Sequence, residues 1–529
     1  MPLRDVFRTP VTTIAVAVLV ALAALLGSCS GEQPEDRASP KKAADGSGSG
    51  NTAKSEAGSD ASRKGQKPEA LATLVPITHL TSKRETVSME YLSGDGNFAV
   101  PREYADMAKR LLGGSGFQTL GSAAAIVDRV SRTPGAMGLV PWDKVGPHVK
   151  VLAVDGESLL EPGQTANDYP LASDGATAPD GGELRRVVVG GDIVLDRGQY
   201  YTVIQQGLGL DFPLDGGYAA ITGRTPEPSY YSETGYTHEF TAERRGETGK
   251  VRDYLSSADL TLANFENPVI RDSIYHPDAA TFTGDLRLMP VLDQAGIDGV
   301  TLGNNHILDA GTSGLRETIA HLDDAGISHA GAGMDLNAAR QPMIFDLGDT
   351  KIGVLSYHGV PSYDWTWATN RYPGTAPLLE KVMREDVEQL KKKVDIVMVM
   401  PHWGKEYIAT PEPGQVEFAH AAVDAGADLF IGGHAHWPKG IEMYEGTPVY
   451  YGVGNFLLDQ SWSEETSTGI FAEITLYGDR VIQTQPIPFV VLDRAQPNIL
   501  VPNAGGNRAL RKVYSASLGP EFEAYKARD

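Results

Sequence analysis

From Arg185 onward the chain reads as an α/β protein. Short apolar, β-branched runs alternate there with stretches of helical spacing, and five of the runs end in small and polar residues on the same, carboxyl, side. The length, 529 residues at 41% hydrophobic content with 59 glycines and 33 prolines, suffices for two or three loop-rich domains, each with its own core.

Residues 1–29 are expected to be a secretory leader. Arg4 and Arg8 precede an apolar stretch, Val11 to Leu26, that falls short of the ~20 residues a bilayer span needs. The stretch ends in Leu26-Gly27-Ser28-Cys29, which resembles a bacterial lipobox and explains why Cys29 is the chain's 1 cysteine. The expectation is lipidation at Cys29, an extracytoplasmic location and a lipid anchor in the cell membrane. A single thiol also excludes an intrachain disulfide and a thiolate zinc site, so any metal must be held by His, Asp, Glu or Asn. Residues 30–70 are rich in Gly, Ser, Ala, Pro and charge, including Gly46-Ser47-Gly48-Ser49-Gly50; such a segment cannot bury a core and is expected to be a disordered linker.

Residues 71–180 alternate apolar runs, such as Ala136 to Pro141 and Val149 to Val154, with turn signals, which predicts a small α/β accessory domain. It bears a weak resemblance to a fragment of a periplasmic solute-binding domain and shows no catalytic constellation. Residues 174–184 read as a linker.

The main domain, residues 185–495, is where chemistry gathers. Arg186-Val187-Val188-Val189 leads into Gly190-Gly191-Asp192, and Asp259 to Ala263 leads into Asn264-Phe265-Glu266. Gly299 to Leu302 leads into Gly303-Asn304-Asn305-His306, Ile396 to Met400 into Pro401-His402-Trp403-Gly404, and Leu429 to Ile431 into Gly432-Gly433-His434-Ala435-His436. Loops at the carboxyl ends of strands converge while the strands behind them stay rigid, so these side chains should meet. Asp192, Glu266, Asn305, His402, His434 and His436 offer the oxygen and nitrogen donors that suit zinc, manganese or iron, with Glu266 the carboxylate that two metals would share. Each piece alone has a blander reading, a turn or a structural loop. Of the 12 histidines, His79, His148, His238, His276, His321, His329 and His420 read as surface or helix residues, and His358 as either pocket-lining or packed.

The run from about Arg186 to Asp459 resembles the CapA family of poly-γ-glutamate capsule-synthesis proteins, which is similar in fold to the calcineurin-like metallophosphoesterases. The resemblance rests on Gly191-Asp192-Ile193-Val194-Leu195-Asp196-Arg197, Asn264-Phe265-Glu266-Asn267-Pro268, Gly303-Asn304-Asn305-His306 with Asp309-Ala310-Gly311, Pro401 to Tyr407, Gly433-His434-Ala435-His436 and Tyr451-Gly452-Val453-Gly454-Asn455-Phe456. It implies a four-layer α-β-β-α sandwich, the same six metal ligands, and His306 as proton donor. Two departures from the wider phosphoesterase pattern stand out. No His follows two residues after Asp192, which takes a ligand from one metal, and Ile307 stands where an acid commonly follows the His.

The expected activity is a dinuclear metal-dependent hydrolase, using two divalent transition ions (Mn, Zn or Fe) to activate water. Its substrate would be a γ-glutamyl amide of an anionic envelope polymer or, alternatively, a phosphoester; a third reading is a non-catalytic, membrane-anchored polymer-binding accessory. Arg197 is expected either to hold a substrate carboxylate or phosphate or to pair with Asp196 or another structural carboxylate. Expected partners are poly-γ-glutamate or a similar polymer, the membrane through the lipid, and capsule-synthesis membrane proteins. A net charge of -22 argues against nucleic acid. Gly469 to Leu476 and Val481 to Thr484 are expected to complete an edge of the sandwich, and residues 496–529 to form a C-terminal extension.

Overall fold

A computed structural model describes residues 72–526 except 95, 162–168, 174–178, 181, 229–235, 278 and 279. The expected leader, Cys29 and the linker lie outside the described residues. Among the described residues no helix is long and apolar enough to cross a membrane.

The first part of the described chain builds a five-stranded sheet in the order Gln118–Leu120, Ala99–Pro101, Met137–Pro141, Leu74–His79, Val149–Val151. Helix Ala123–Arg132 covers it. Ser122 caps that helix by accepting the Ala125 N–H at 3.3 Å, and Ala123, Ile126 and Val130, at helical spacing, are buried. His79, expected at the surface or on a helix, is instead a fully buried strand residue; the apolar neighbours Leu74, Val75 and Ile77 carry it inside.

The second part contains a 10-stranded sheet and a 6-stranded sheet. The five runs read from the sequence are all strands: Leu184–Ile193, Leu260–Phe265 and Gly299–Thr301 lie in the larger sheet, Ile396–Trp403 and Leu429–Ile431 in the smaller. Within each sheet these strands are mutually parallel, so their carboxyl ends share one side.

Strand alternation then dictates the layers. Val187, Val189, Leu260, Leu262, Ile470 and Ile474 of the larger sheet share one core with Ile352, Val354, Met398 and Leu429 of the smaller. Their alternate neighbours Val188, Ala263 and Phe471 face Val251, Leu255, Leu292, Leu315 and Leu322 on helices Lys250–Ser256, Pro290–Gln294 and Gly311–Ala325. Val397, Val399 and Phe430 face Met383, Val387 and Ala419 on helices Glu380–Leu390 and Pro413–Asp424. The order is helix, sheet, sheet, helix, as the resemblance implied.

Two sequence expectations are corrected. Thr468–Tyr477 and Arg480–Leu492, expected at an edge, lie inside the larger sheet: Thr468–Tyr477 pairs with Leu184–Ile193 on one side and with Arg480–Leu492 on the other. Gln496–Leu500 and the hairpin Tyr218–Pro228/Tyr236–Arg245 continue the sheet beyond them. The fold also runs past residue 495, because helix Asn507–Ala516 places Val513 and Tyr514 in the core between the sheets.

The five-stranded sheet is fastened to the far end of the larger one. Leu184 and Ile482 belong to its core, the Val151 N–H donates to Gln483 Oε1 at 2.6 Å, and Trp142 meets Tyr477 edge-on at 5.0 Å. Strand Leu184–Ile193 thus starts at this junction and ends at Asp192, on the order of 25 Å away at the rise of an extended strand.

Candidate metal centre

Asp192 ends its strand beside two partners, Asn264 of Leu260–Phe265 and Asn455 of Asn455–Leu457. The glycines before it permit the approach: a Cβ on Gly191 would stand 1.7 Å from the Gly454 carbonyl oxygen, to which the Asp192 N–H donates at 3.2 Å. On the opposing sheet His402 ends Ile396–Trp403 and bridges to Gly433, whose missing side chain leaves room for Asp192 and His402. His434 and His436 adopt φ of 82° and 55°, a left-handed backbone that costs energy for non-glycine residues and is typical of functional loops.

The structure brings together Asp192, Glu266, Asn305, His402, His434 and His436, all buried. His402 Nε2 lies 3.0 Å from Glu266 Oε1, 2.9 Å from Asn305 Oδ1 and 3.1 Å from His434 Nδ1. His436 Nδ1 is 3.8 Å from Asp192 Oδ2. Two overlapping groups result, Glu266/His402/His434 and Asp192/Glu266/His436, each offering donor atoms within 4.8 Å of one another. Glu266 is common to both.

Asp192 Oδ2 and both oxygens of Glu266 are buried without a hydrogen-bond donor among the described residues, a costly state for a carboxylate unless a cation compensates it. Burial, and then the charge of Glu266, pushes the Asp192 carboxyl well above its usual range, and burial pushes Glu266 up to about 8. Burial holds His402 and His434 well below the ordinary imidazole value and His436 at about 4. The imidazoles are therefore in the neutral form that binds metals, and a divalent ion would displace protons from the carboxyls. The donor set fits divalent ions at this place.

His306 is nearly buried, with Nδ1 2.8 Å from Asp309 Oδ2 and its ring 4.5 Å from that of Phe282. Burial opposes its charge, but the Asp309 hydrogen bond and the carboxylates of Glu266, Asp309 and Glu406 outweigh it and raise its pKa. Asp309 is thus the acidic partner absent at Ile307. Arg197, beside the cluster, pairs through Nε with Asp459 Oδ1 at 3.0 Å. Asp196 instead accepts from the backbone N–H groups of Arg197, His276 and Thr283 at 2.8, 3.1 and 3.0 Å.

From the sequence, Asn264 and Asn455 carry no assigned role, and Glu406, after His402, reads only as part of the pocket wall. Asn264 Nδ2 lies 2.7 Å from Asp192 Oδ1 and 3.1 Å from His402 Nδ1, and Asn455 Oδ1 lies 2.8 Å from His436 Nδ1. Glu406 Oε1 stands 3.9 Å from Nε2 of both His434 and His436. For the two asparagines the only signal was position at a strand end. His358 proves to be packed: it is fully buried, in register with His402, its Nδ1 lies 3.0 and 3.1 Å from the Thr366 and Thr375 hydroxyls, and burial lowers its pKa to about 3. Trp403 points to the helix side, where its Nε1–H donates to the Tyr451 carbonyl at 3.2 Å.

Comparison with known proteins gives consistent relatives. The family model described as bacterial capsule synthesis protein PGA_cap matches residues 186–460. A PGA biosynthesis protein CapA of Bacillus subtilis is 29% identical over 223 residues, 42% of this chain and 58% of that protein. A probable polyglutamine synthesis accessory protein of Mycobacterium tuberculosis is 33% identical over 227 residues, 39% of this chain and 57% of that protein. The match therefore spans less than two thirds of either relative. Among solved structures, a phosphatase from Mycoplasma pneumoniae aligns at 17% identity and a TM-score of 0.34, covering 58% of this chain and 94% of its own.

Proposed function

Since the chain belongs to the bacterial capsule synthesis protein PGA_cap family through residues 186–460, we propose that it is a metal-dependent hydrolase acting on poly-γ-glutamate or a related anionic envelope polymer. The observation that carries this reading is Glu266, with both oxygens buried and lacking donors between two groups of neutral imidazoles and a carboxylate. Glu266, His402, His434 and Asn305 would hold one divalent ion; Asp192, Glu266 and His436 would hold a second. Bound ions of this kind supply an activated water and polarise the bond under attack.

The chain's own residues do the rest. Asp309 holds the Nδ1 edge of the His306 ring and favours its protonated form, so His306 is placed to protonate the leaving group. Asn264 and Asn455 hold Asp192, His402 and His436 in orientation. The same groups would serve attack on a phosphoester, so the first residues do not name the bond. In this reading the protein works outside the cytoplasm, lipidated at Cys29 and held to the membrane, beside capsule-synthesis membrane proteins. A second reading, a non-catalytic polymer-binding accessory, draws on the accessory role in the mycobacterial relative's name.

The test is elemental analysis of protein starting near residue 71, with Asp192→Ala and His434→Ala for comparison. About two transition ions per chain, lost in both variants, is the expected result and leads to assays on γ-glutamyl polymers and phosphoesters. No bound metal after reconstitution with manganese, zinc or iron would move the assignment to the accessory.

A further inference from the structure

Beside the metal centre lies a cavity of about 640 Å³, within the size range of ligand sites. One wall is the edge strand Tyr236–Arg245, tied by its His238 N–H to the Ser461 carbonyl at 2.6 Å. Another holds Arg197, Asp459 and Trp462, and a third Asp493 and Arg494. It adjoins the metal centre: the wall residue Gln460 accepts from Asn455 at 3.2 Å, and Asn455 in turn holds His436.

Three arginines and three carboxylates line this cavity, so its formal charge balances, but the arrangement does not. Arg197 and Arg494 both pair with the single buried carboxylate of Asp459, at 3.0 and 2.9 Å. Among the described residues the terminal amino groups of Arg197 have no acceptor, although the side chain is only 6% exposed. Its guanidinium lies 6.0 Å from the ring centres of both Phe282 and Trp462, which holds its plane. Arg244 is held from the other side by Asp493 and, at 3.2 Å, by Asn498. Backbone strain gathers here too: Arg197, Asp493 and Arg494 have φ of 47°, 51° and 66°. Non-glycine residues kept in that region mark positions where geometry has been favoured over local stability.

A chain with a net charge of -22 repels a polyanion over most of its surface, so recognition needs a local guanidinium site. We propose that this cavity is a subsite for a carboxylate-bearing unit next to the bond under attack, with Arg197 binding the carboxylate through its terminal amino groups and the strand Tyr236–Arg245 limiting what enters. The proposal rests on the hydrolase reading for the identity of the neighbouring centre but concerns binding, which can be measured without turnover.

The test is calorimetric titration of the full chain with a γ-linked glutamate tetramer, its fully amidated counterpart and a poly-glycerol phosphate of similar length. Each titration is run with manganese and again with chelator. The tetramer should bind in both states and the amidated form at least tenfold more weakly. Arg197→Gln, and Thr237→Trp, which fills the cavity from the edge strand, should each weaken the tetramer at least tenfold at unchanged metal content and melting temperature. Tetramer binding unaltered in Thr237→Trp, equal binding of the amidated form, or binding of the poly-glycerol phosphate alone would overturn the subsite. Should Arg197→Gln not fold, Arg197→Lys and Thr237→Trp decide. Carboxylate binding that survives chelation while no metal is ever retained would leave the subsite standing and remove the hydrolase reading.

Discussion

Glu266 shares with Asp192 the electrostatic cost of the centre. Its folded pKa of about 8 against an ordinary 4.5 means that metal-free protein is stabilised with this carboxyl protonated. That stability is present below about 4.5 and is lost as pH rises through about 8. Metal-stripped protein should therefore melt at progressively lower temperature from pH 5 to pH 9, the Glu266→Gln variant should show a shallower slope, and metal-loaded protein should resist the change. Thermal melts at three pH values with and without chelator measure this; identical slopes for wild type and variant would remove Glu266 as the cause. His306 has a separate role. His306→Gln should leave metal content unchanged and lower turnover by roughly 10²- to 10⁴-fold, the usual worth of a positioned proton donor; unchanged turnover would remove it as the acid. Arg197 shows why a residue type alone could not settle a role. A guanidinium one residue from Asp196 could pair locally, but helix capping and His276 occupy Asp196, and the partner is Asp459, distant in sequence.

At the scale of elements, the site depends on strands coming closer than side chains normally allow. Gly191 sits where a Cβ would strike the Gly454 carbonyl oxygen at 1.7 Å, and the bond between these two segments sets Asp192 beside Asn455. Gly191→Ala should cost about 1–3 kcal/mol, as overpacking does, and should lower metal affinity as well, because the strand that carries Asp192 must shift. Chemical denaturation and metal titration together check both. The Gly-Gly-Asp sequence reads as a turn by composition, yet it lies within Leu184–Ile193. A second parallel partner, Asn455–Leu457, extends the strand there. The interior place of Thr468–Tyr477 was hidden for a related reason. Alternating apolar residues announce a strand with buried faces but do not say how many strands lie beyond it.

Across the whole molecule, the five-stranded sheet and the candidate centre occupy opposite ends of strand Leu184–Ile193. Polar contacts at the junction include the Val151 N–H to Gln483, Arg480 to the Asp143 and Val145 carbonyls, and His148 with Glu521. Gln483→Ala would leave the buried Val151 N–H without its acceptor, at a cost of about 1–3 kcal/mol, and should loosen the small sheet while metal content stays at the wild-type value. Hydrogen exchange of residues 74–151 against residues 260–306 measures it, and equal loosening of both regions would show that the two ends are not separable. The sequence by itself determined the α/β class, the five strands and the six polar side chains at their ends, because apolar periodicity and strand-end position are local properties of the chain. Only the tertiary structure decided that these ends come from two sheets facing each other and that asparagines orient the histidines. It likewise decided that Asp309 partners His306, Asp459 partners Arg197, and a cavity opens beneath an added hairpin. Such pairings depend on register and on contacts between residues far apart in sequence, which no local pattern encodes.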